Sequence, residues 1–172
     1  MKKIILTLSF LFCFTAGYSQ TKVGYINLKA IMDKLPEAQD AQRQFDAIAQ
    51  QWQDSLKQMQ ADWQSKFEEY DKKKLIMTDQ TRIEAERALQ ELEKNISAFR
   101  SQKFSPQGEL YTKQGELMKP IQNKVFKVLK EIADEDNYDY IFDKSGDILL
   151  LYSREKFDLT ETVLNKMMKY GK

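Results

Sequence analysis

Apolar side chains recur in alternating steps of four and three along the first half of the chain, and this spacing strongly constrains the fold. The stripe comprises Phe45, Ala49, Trp52, Leu56, Met59 and Trp63, with Phe67 and Tyr70 beyond it. Such steps place side chains on one face of a supercoiled helix, and mostly polar residues fill the positions between them. The sequence therefore predicts a long helix that must pack on a second helix, on another copy, or on something that it holds.

A helix is predicted from residue 36 to about residue 77. Pro36 suits its first turn, because proline lacks the N–H that would stay unpaired there, and Glu37 suits its positive end. The helix would be about 60 Å long at about 1.5 Å per residue. Thr81 and Glu84 form a capping-box pattern that predicts a new helix after a short connection. The two helices are expected to form an antiparallel hairpin with its tip at residues 71–79.

The return limb of this hairpin is predicted to be irregular. Its apolar residues follow helical spacing at Ala85, Leu89, Leu92, Ile96 and Phe99. Candidate hinge residues come next: Pro106, Gly108, Gly115 and Pro120. Proline inside a helix either bends it or ends it, and the sequence leaves a kink and a break near residue 106 equally open.

The two ends of the chain are predicted to form a small body that contains β-strands. Residues 22–27 alternate like a short strand, and Asn27 is a suitable cap for a helix over residues 28–34. Residues 138–143 and 148–152 are rich in β-forming side chains, and the glycine-containing linker between them predicts a β-hairpin. The second of these strands is apolar on both faces and should be buried, within its own chain or against another subunit. Asp158 and Glu161 would open a last helix, with apolar residues at 163, 164 and 167 facing inward.

These elements define the predicted fold class, a mostly helical α+β protein. A small β-rich oligomerisation body would comprise residues 20–35 and 120–172. A long antiparallel helical hairpin, here called the arm, would be inserted in it as residues 36–119.

The first 19 residues have the features of a cleaved secretory signal peptide. Lys2 and Lys3 precede an apolar run over residues 4–14, and small residues follow at 16, 17 and 19. The run is shorter than the ~20 apolar residues that cross a bilayer, which disfavours a membrane anchor. Cleavage after Ser19 is expected, and it would remove both lysines from the 27 basic residues. The mature chain would then carry 25 basic and 26 acidic residues.

Composition argues against an enzyme. The chain has no histidine, and its single cysteine, Cys13, lies in the predicted signal peptide. The commonest general base and the commonest transition-metal ligand are therefore missing, and the remaining carboxylates, lysines and tyrosines form no recognisable catalytic pattern. We expect no cofactor and no metal. The balanced charge also gives no reason to expect nucleic-acid binding.

The order of these segments resembles the Skp/OmpH family of periplasmic chaperones. The resemblance covers the mature chain, and two of its parts are the segments YDYIFD and DLTETVL near the C-terminal end. It implies a homotrimer in which the β-rich ends join into a central body and three arms surround a cavity. It also implies an ATP-independent holdase that keeps unfolded outer-membrane proteins soluble in the periplasm.

Roles follow for individual side chains. The predicted seam between the helices of the arm consists of Phe45, Trp52, Leu56, Met59, Leu92, Ile96 and Phe99. The candidate client-facing residues of the arm are Ile48, Trp63, Phe67, Tyr70 and Met77. The oligomerisation body is expected to use Val23, Tyr25, Ile26, Tyr140, Phe142, Leu149 and Leu151.

Two alternatives stay open. The clean stripe in the first long helix also fits an envelope adaptor that docks one folded partner, although a rigid spacer would avoid Pro106 and Gly108. Lys72, Lys73 and Lys74 near the tip are most simply a solvated helix end, because runs of charge usually are. A weak contact with a membrane or with lipopolysaccharide is the other interpretation.

Overall fold

Long helices dominate the structure, a computed structural model that describes residues 21–146 and 150–170. Its elements are β1 (Val23–Ile26), α1 (Leu28–Lys34), α2 (Pro36–Lys73), α3 (Asp79–Phe104), α4 (Glu109–Asp136), β2 (Tyr140–Asp143), a 3-10 helix (Glu155–Phe157) and α5 (Thr160–Tyr170). The predicted fold class, mostly helical α+β, is confirmed. The predicted signal peptide lies outside the described residues. Within the part that is described, no helix is both long and apolar enough to span a membrane.

The two strands form a parallel pair that joins the beginning of the described chain to its C-terminal third. Val23 lies opposite Tyr140, and Ile26 lies opposite Asp143. On its other edge β1 makes a parallel bridge from Tyr25 to Asp158, and the Leu159 N–H donates to the Tyr25 carbonyl at 2.8 Å. Parallel strands need a long crossover, and here the crossover contains the whole arm.

The prediction of a β-hairpin after residue 138 is wrong, because β2 pairs with β1 and residues 150–152 are irregular. Ile148 and Leu149 lie outside the described residues. Residues 144 and 145 of the linker are held against the end of β1 and the start of α1. The Lys144 N–H donates to the Ile26 carbonyl at 2.8 Å, and the Lys29 N–H donates to Ser145 Oγ at 3.1 Å. In the single chain Leu151 of this run is 85 % exposed, so its expected burial stays a prediction that depends on another subunit.

The hydrophobic core lies where α1, the start of α2, the C-terminal half of α4 and α5 meet. Its buried side chains are Ile26, Ile31, Leu35, Ala38, Ala41, Ile121, Val125, Val128, Ile132, Leu159, Val163, Leu164 and Met167. The expected inward-facing residues of the last helix are therefore confirmed. At about 1.5–3 kcal/mol for each large aliphatic side chain, this cluster is the main source of stability in the described chain.

The helix ends follow local chemistry, with one correction. Asn27 caps α1 as predicted, its Oδ1 accepting a hydrogen bond from the Ala30 N–H at 2.9 Å, and α2 begins at Pro36 as predicted. The predicted capping box at Thr81 is wrong, because Thr78 is the cap and its Oγ1 accepts from the Thr81 N–H at 3.3 Å.

The arm consists of α2 and α3 running antiparallel. The 38 residues of α2 make a rod about 57 Å long at about 1.5 Å per residue. The direction of α3 is fixed by contacts at two heights: Tyr70 meets Glu86 near the tip, and Trp52 meets Lys103 lower down. After residues 105–108, α4 returns along the lower part of α2 to the core, where Lys124 pairs with Glu37 at 2.5 Å.

Candidate functional site

The arm holds its apolar stripe without burying it. Among the described residues of α3 none is buried, and the buried residues of α2 are Ala38 and Ala41 at its base. Two helices alone cannot cover each other's apolar faces, since each leaves one flank of the seam open. The arm therefore offers a long, partly accessible apolar surface bordered by charged and amide side chains.

Every side chain of the predicted seam is half-buried. These residues are Phe45, Trp52, Leu56 and Met59 on α2 and Leu92, Ile96 and Phe99 on α3. Half-burial agrees with a position between two helices. It does not distinguish a helix–helix seam from a client-binding surface, because these side chains pack between the helices and are also accessible to solvent.

The candidate client-facing residues differ in exposure. Ile48, Trp63, Tyr70 and Met77 are half-buried, whereas Phe67 is exposed. The rings of Trp63 and Phe67 are stacked, with centroids 5.2 Å apart and planes 10° from parallel. Trp63 Nε1 is shielded and makes no hydrogen bond to the described residues. This pair extends the apolar stripe of the arm outward onto its exposed flank.

A groove of about 340 Å³ lies between α2 and α3 close to the tip. It exists because Ala85 and Ala88 on α3 are too small to fill the space opposite Tyr70 and Met77. Leu89, Lys66 and Lys73 also line the groove. The structure thus brings together two of the predicted client-facing residues, Tyr70 and Met77.

Tyr70 also ties the two helices together. Its hydroxyl donates a hydrogen bond of 2.5 Å to the Glu86 carboxylate. Since deprotonation would lose this bond and place two negative charges together, the bond raises the pKa of Tyr70 above its usual value.

The tip exposes two large aliphatic side chains. Leu75 is 90 % exposed and Ile76 is 85 % exposed, in the turn that follows α2. Of the neighbouring lysines, Lys73 pairs with Glu69 at 2.6 Å and Lys74 pairs with Asp71 at 2.7 Å. Leu75 and Ile76 were not predicted as functional residues, although three lysines followed by Leu and Ile at a turn are a visible signal in the sequence.

The return limb is broken near residue 106, which decides between the two predicted forms. Helix α3 ends at Phe104 and α4 begins at Glu109, and the Gly108 N–H donates to the Ser105 carbonyl at 2.8 Å. Gly108 is required by crowding, because a Cβ there would lie 2.9 Å from the carbonyl oxygens of Gln102 and Lys103. We call residues 105–108 the joint.

The other two candidate hinge residues lie inside α4, which continues through both of them. Pro120 is within the helix, and a Cβ at Gly115 would meet nothing within 4 Å. Neither position ends the helix, so the break in the backbone is confined to the joint.

The joint is bridged by side chains that the sequence analysis did not identify. Lys103 pairs with Glu109 across the break, and Gln102 Nε2 donates to Glu109 Oε1 at 2.7 Å. Lys103 Nζ also lies 4.6 Å from the centroid of the Trp52 ring on α2. These contacts join residues of α2, α3 and α4. They could be predicted from the sequence only if the break between α3 and α4 were already known.

The body presents an apolar face on its two-stranded sheet. Tyr140 and Phe142 are stacked with centroids 6.4 Å apart, and both are exposed. Val23 lies beside them, and a cavity of about 580 Å³ continues this surface toward Leu150 and Tyr152. We call Val23, Tyr140, Phe142, Leu150 and Tyr152 the body face.

The remaining residues of the predicted oligomerisation set lie elsewhere. Tyr25 and Ile26 are buried within their own chain, and Leu151 is exposed. Leu149 is outside the described residues. Tyr25 is covered by Lys144, whose Nζ lies 4.7 Å from the ring centroid.

Residues 21–146 and 150–170 contain no cluster of three or more His, Cys, Asp or Glu side chains arranged to hold a metal ion.

The pKa shifts in the body have a structural cause. Partial burial would raise the pKa of Asp158, but donors from Lys144 and Thr160 outweigh it and lower the pKa below its usual value.

Comparison with known proteins gives a consistent result. The family model described as outer membrane protein (OmpH-like) matches residues 22–167. No curated protein matches the chain significantly. Among solved structures, a proposed outer membrane chaperone (OmpH-like) from Caulobacter crescentus CB15 matches with a TM-score of 0.72 and 12 % identity. The match covers 91 % of this chain and 89 % of that one, and at this identity it shows the fold alone.

Proposed function

Since the chain belongs to the family of OmpH-like outer membrane proteins, we propose that it is a periplasmic holdase chaperone for unfolded outer-membrane proteins. It would work without ATP, as a homotrimer whose arms enclose the client. The mature protein would begin at residue 20 after export. Residues 36–119 would form the arm, and residues 20–35 and 120–172 would form the body.

One observation carries this proposal, namely an apolar stripe that runs the length of the arm and is never closed into a core. A folded helical protein of this length would bury such a stripe to gain stability. A holdase has to keep it accessible, because it binds many sequences through weak and exchangeable contacts. Trp63, Phe67 and Met77 are suited to this role, since aromatic rings offer large contact areas and methionine adapts to irregular shapes.

The body face supports the homotrimer. A small sheet that exposes Tyr140, Phe142 and Val23 on one side is a surface that monomeric proteins usually cover. The apolar seam of each arm is only half-buried. Three such seams can face a common space only if the three bodies hold the arms together. Oligomerisation is also the common way for an elongated chain to supply missing core.

The tip suggests a second contact, a weak one with a negatively charged membrane surface. Lys72, Lys73 and Lys74 supply positive charge, and Leu75 and Ile76 supply exposed apolar surface at the end of the rod. Apolar and basic groups together are typical of segments that bind at lipid interfaces. Because Glu69 and Asp71 neutralise two of the lysines, the contact should be weak.

The deciding experiment is light scattering on the mature chain, alone and after dilution of a urea-denatured β-barrel protein into it. We expect a mass of three chains, uptake of one client, and a client that stays soluble. Aggregation of the client at one trimer per client would refute the holdase. Co-purification dominated by one folded protein would instead favour an envelope adaptor. The unbroken α2 rod gives some support to this alternative.

A pair of variants localises the binding surface. Phe67→Ser should lower client uptake, since it removes the exposed ring of the stacked pair. Met168→Ser is the matched control, because Met168 is also an exposed apolar residue but lies on α5 in the body. Equal loss of uptake in both variants would show that binding is not confined to the arm.

A further inference from the structure

The groove near the tip of the arm is a local gap in the packing of α2 against α3. Closer to the joint, the apolar stripe of α3 consists of large side chains: Leu89, Leu92, Ile96 and Phe99. Toward the tip the stripe narrows to Ala85 and Ala88, and there the groove of about 340 Å³ opens between the helices. Residues three apart are neighbours on one side of a helix, so the two alanines leave one continuous slot.

The walls of the groove suit a flat ring. Tyr70 lines it on α2, and the hydrogen bond of 2.5 Å from its hydroxyl to the Glu86 carboxylate holds it in place. Since that hydroxyl is already bonded, Tyr70 offers a ligand its aromatic surface. Met77 lines the groove as well, and a thioether makes favourable contacts with aromatic rings. The volume is ample, because an apolar cavity of ~150 Å³ already holds benzene.

The groove also carries an excess of positive charge. Two lysines, Lys66 and Lys73, line it together with one glutamate, Glu69. Lys73 pairs with Glu69 at 2.6 Å, so these two charges neutralise each other. Lys66 pairs instead with Asp62, one helical turn further from the tip, at 3.1 Å and with its side chain 52 % exposed. Exposed pairs of this kind are weak, so the Lys66 ammonium is able to turn toward an anion in the groove.

We propose that this groove binds one aromatic side chain of an unfolded protein, and that an acidic residue next to that ring in the sequence meets Lys66. The inference rests on the proposed function, because it names the part of a client that the arm recognises. Unfolded strands of outer-membrane barrels carry this chemistry. Their aromatic residues are concentrated in girdles at both edges of an apolar band, next to the turns and loops. The groove thus adds a preference for rings to an otherwise unselective apolar stripe.

Such a site suits weak and reversible holding of a client. A single ring in an open groove leaves quickly, which allows a client to be released. Three arms would present three grooves to the same chain, and linked weak contacts hold a chain far longer than one contact does. Clients would therefore be held by their aromatic residues near the tips of the arms.

Binding of short peptides to the mature chain tests this preference without requiring holdase activity. The probe is a peptide of about ten residues, the length of one barrel strand, with a phenylalanine followed by a glutamate. Matched peptides carry leucine in place of the phenylalanine, or glutamine in place of the glutamate. Saturation-transfer NMR identifies the peptide protons that lie against the protein, and titration gives the Kd. We expect the strongest transfer to the ring protons and several-fold weaker binding of the leucine peptide.

Variants of the arm locate the site. Ala88→Leu and Ala85→Met both fill the groove from α3 and should weaken binding of the phenylalanine peptide by about tenfold or more, because the ring is excluded. Ala98→Leu is the matched control, because Ala98 is exposed on α3 closer to the joint. Lys66→Gln should weaken binding of the glutamate peptide but not of the glutamine peptide. Lys57→Gln, which removes another exposed lysine of α2, should change neither. Circular dichroism checks that each variant keeps its helix content.

Equal binding of the phenylalanine and leucine peptides would overturn the proposal, and so would equal weakening by Ala88→Leu and Ala98→Leu. The groove would then be only a gap in the helix packing. The holdase is judged separately, by whether the wild-type protein keeps a denatured barrel protein soluble. A soluble client without any preference for rings refutes the aromatic site alone. A preference for rings together with an aggregating client refutes the holdase alone.

Discussion

The Asp143 carboxylate connects the two halves of the body at the scale of one residue. Its Oδ1 accepts hydrogen bonds from the Leu28 N–H at 3.0 Å, the Ser145 N–H at 2.9 Å and the Ser145 hydroxyl at 2.7 Å. Burial alone would raise the pKa of Asp143, but these donors outweigh it and lower the pKa below its usual value. The start of α1 is thereby joined to the turn after β2.

The lowered pKa predicts acid sensitivity with a definite sign. Since Asp143 binds its proton less tightly in the folded state, its contribution to stability is complete above about pH 4, the ordinary pKa of an aspartate. It is lost as the pH falls through the lower, folded pKa. Asp143→Asn should therefore lower the free energy of unfolding at pH 7 by about 1 kcal/mol and reduce its decline in acid.

Urea unfolding at a series of pH values from neutral to acid checks this prediction. Asp134→Asn is the control, because Asp134 is exposed and has no recorded hydrogen bond or ion pair among the described residues. Equal pH dependence in both variants would contradict a special role for Asp143.

Two glycines of the return limb should respond in opposite ways to the same substitution. Gly108→Ala should destabilise the arm, because the new Cβ would lie 2.9 Å from two carbonyl oxygens. Gly115→Ala should stabilise it by about 1 kcal/mol, because the site is open and alanine is the better helix former. Urea unfolding of both variants measures the difference, and stabilisation by Gly108→Ala would show that the joint is not tightly packed.

At the scale of elements, the sequence predicted most helices because their determinants are local. The cap at Asn27, the start at Pro36 and the steps of four and three along α2 all act within a few residues. The partner of β2 could not be predicted in this way. Pairing with β1 depends on contacts between residues more than a hundred positions apart, and a short apolar run does not reveal its neighbour.

The candidate client surface was predictable only in part, for a similar reason. The apolar stripe follows from spacing, but the groove near Tyr70 depends on which α3 residues, Ala85 and Ala88, stand opposite it. The bridge from Lys103 to Glu109 depends on the break near residue 106, and the sequence did not decide between a break and a kink there. Predicting contacts between helices therefore requires the register of the hairpin, which the periodicity of the sequence does not give.

The exposed turn at the tip gives a prediction for the arm as an element. Leu75→Ser combined with Ile76→Ser should abolish binding to vesicles that contain phosphatidylglycerol, because the apolar part of the contact is removed. Ile83→Ser is the control, since Ile83 is an exposed aliphatic residue on α3 beyond the turn. Vesicle flotation measures binding. If wild-type protein does not float with anionic vesicles, the membrane contact is excluded.

At the scale of the whole molecule, the exposed apolar side chains fall into two groups that are distributed differently. The body face is concentrated on one sheet, whereas the apolar surface of the arm is spread along two helices. A concentrated apolar face suits a fixed partner of matching shape, and a dispersed one suits a partner without fixed shape. This division agrees with the proposal that the chain assembles through one surface and binds clients through the other.

Substitution on the body face should separate assembly from folding. Tyr140→Asp combined with Phe142→Asp places charges on an exposed face, so the single chain should still fold while the native mass falls below three chains. Tyr111→Asp is the control, because Tyr111 is exposed on α4 and not on the sheet. Light scattering measures the mass and circular dichroism the helix content, and an unchanged trimer would place the interface elsewhere.

The parallel pairing of β1 with β2 also has a consequence for the order of folding. Val23 can meet Tyr140 only after the whole arm has been made, since more than a hundred residues separate them. Closing so long a loop is slow, whereas a helical hairpin such as α2 with α3 forms from neighbouring residues within microseconds to milliseconds. Because the chain is synthesised from its N-terminus, the first strand is made early and β2 late, so the arm is complete before the body can close around its core.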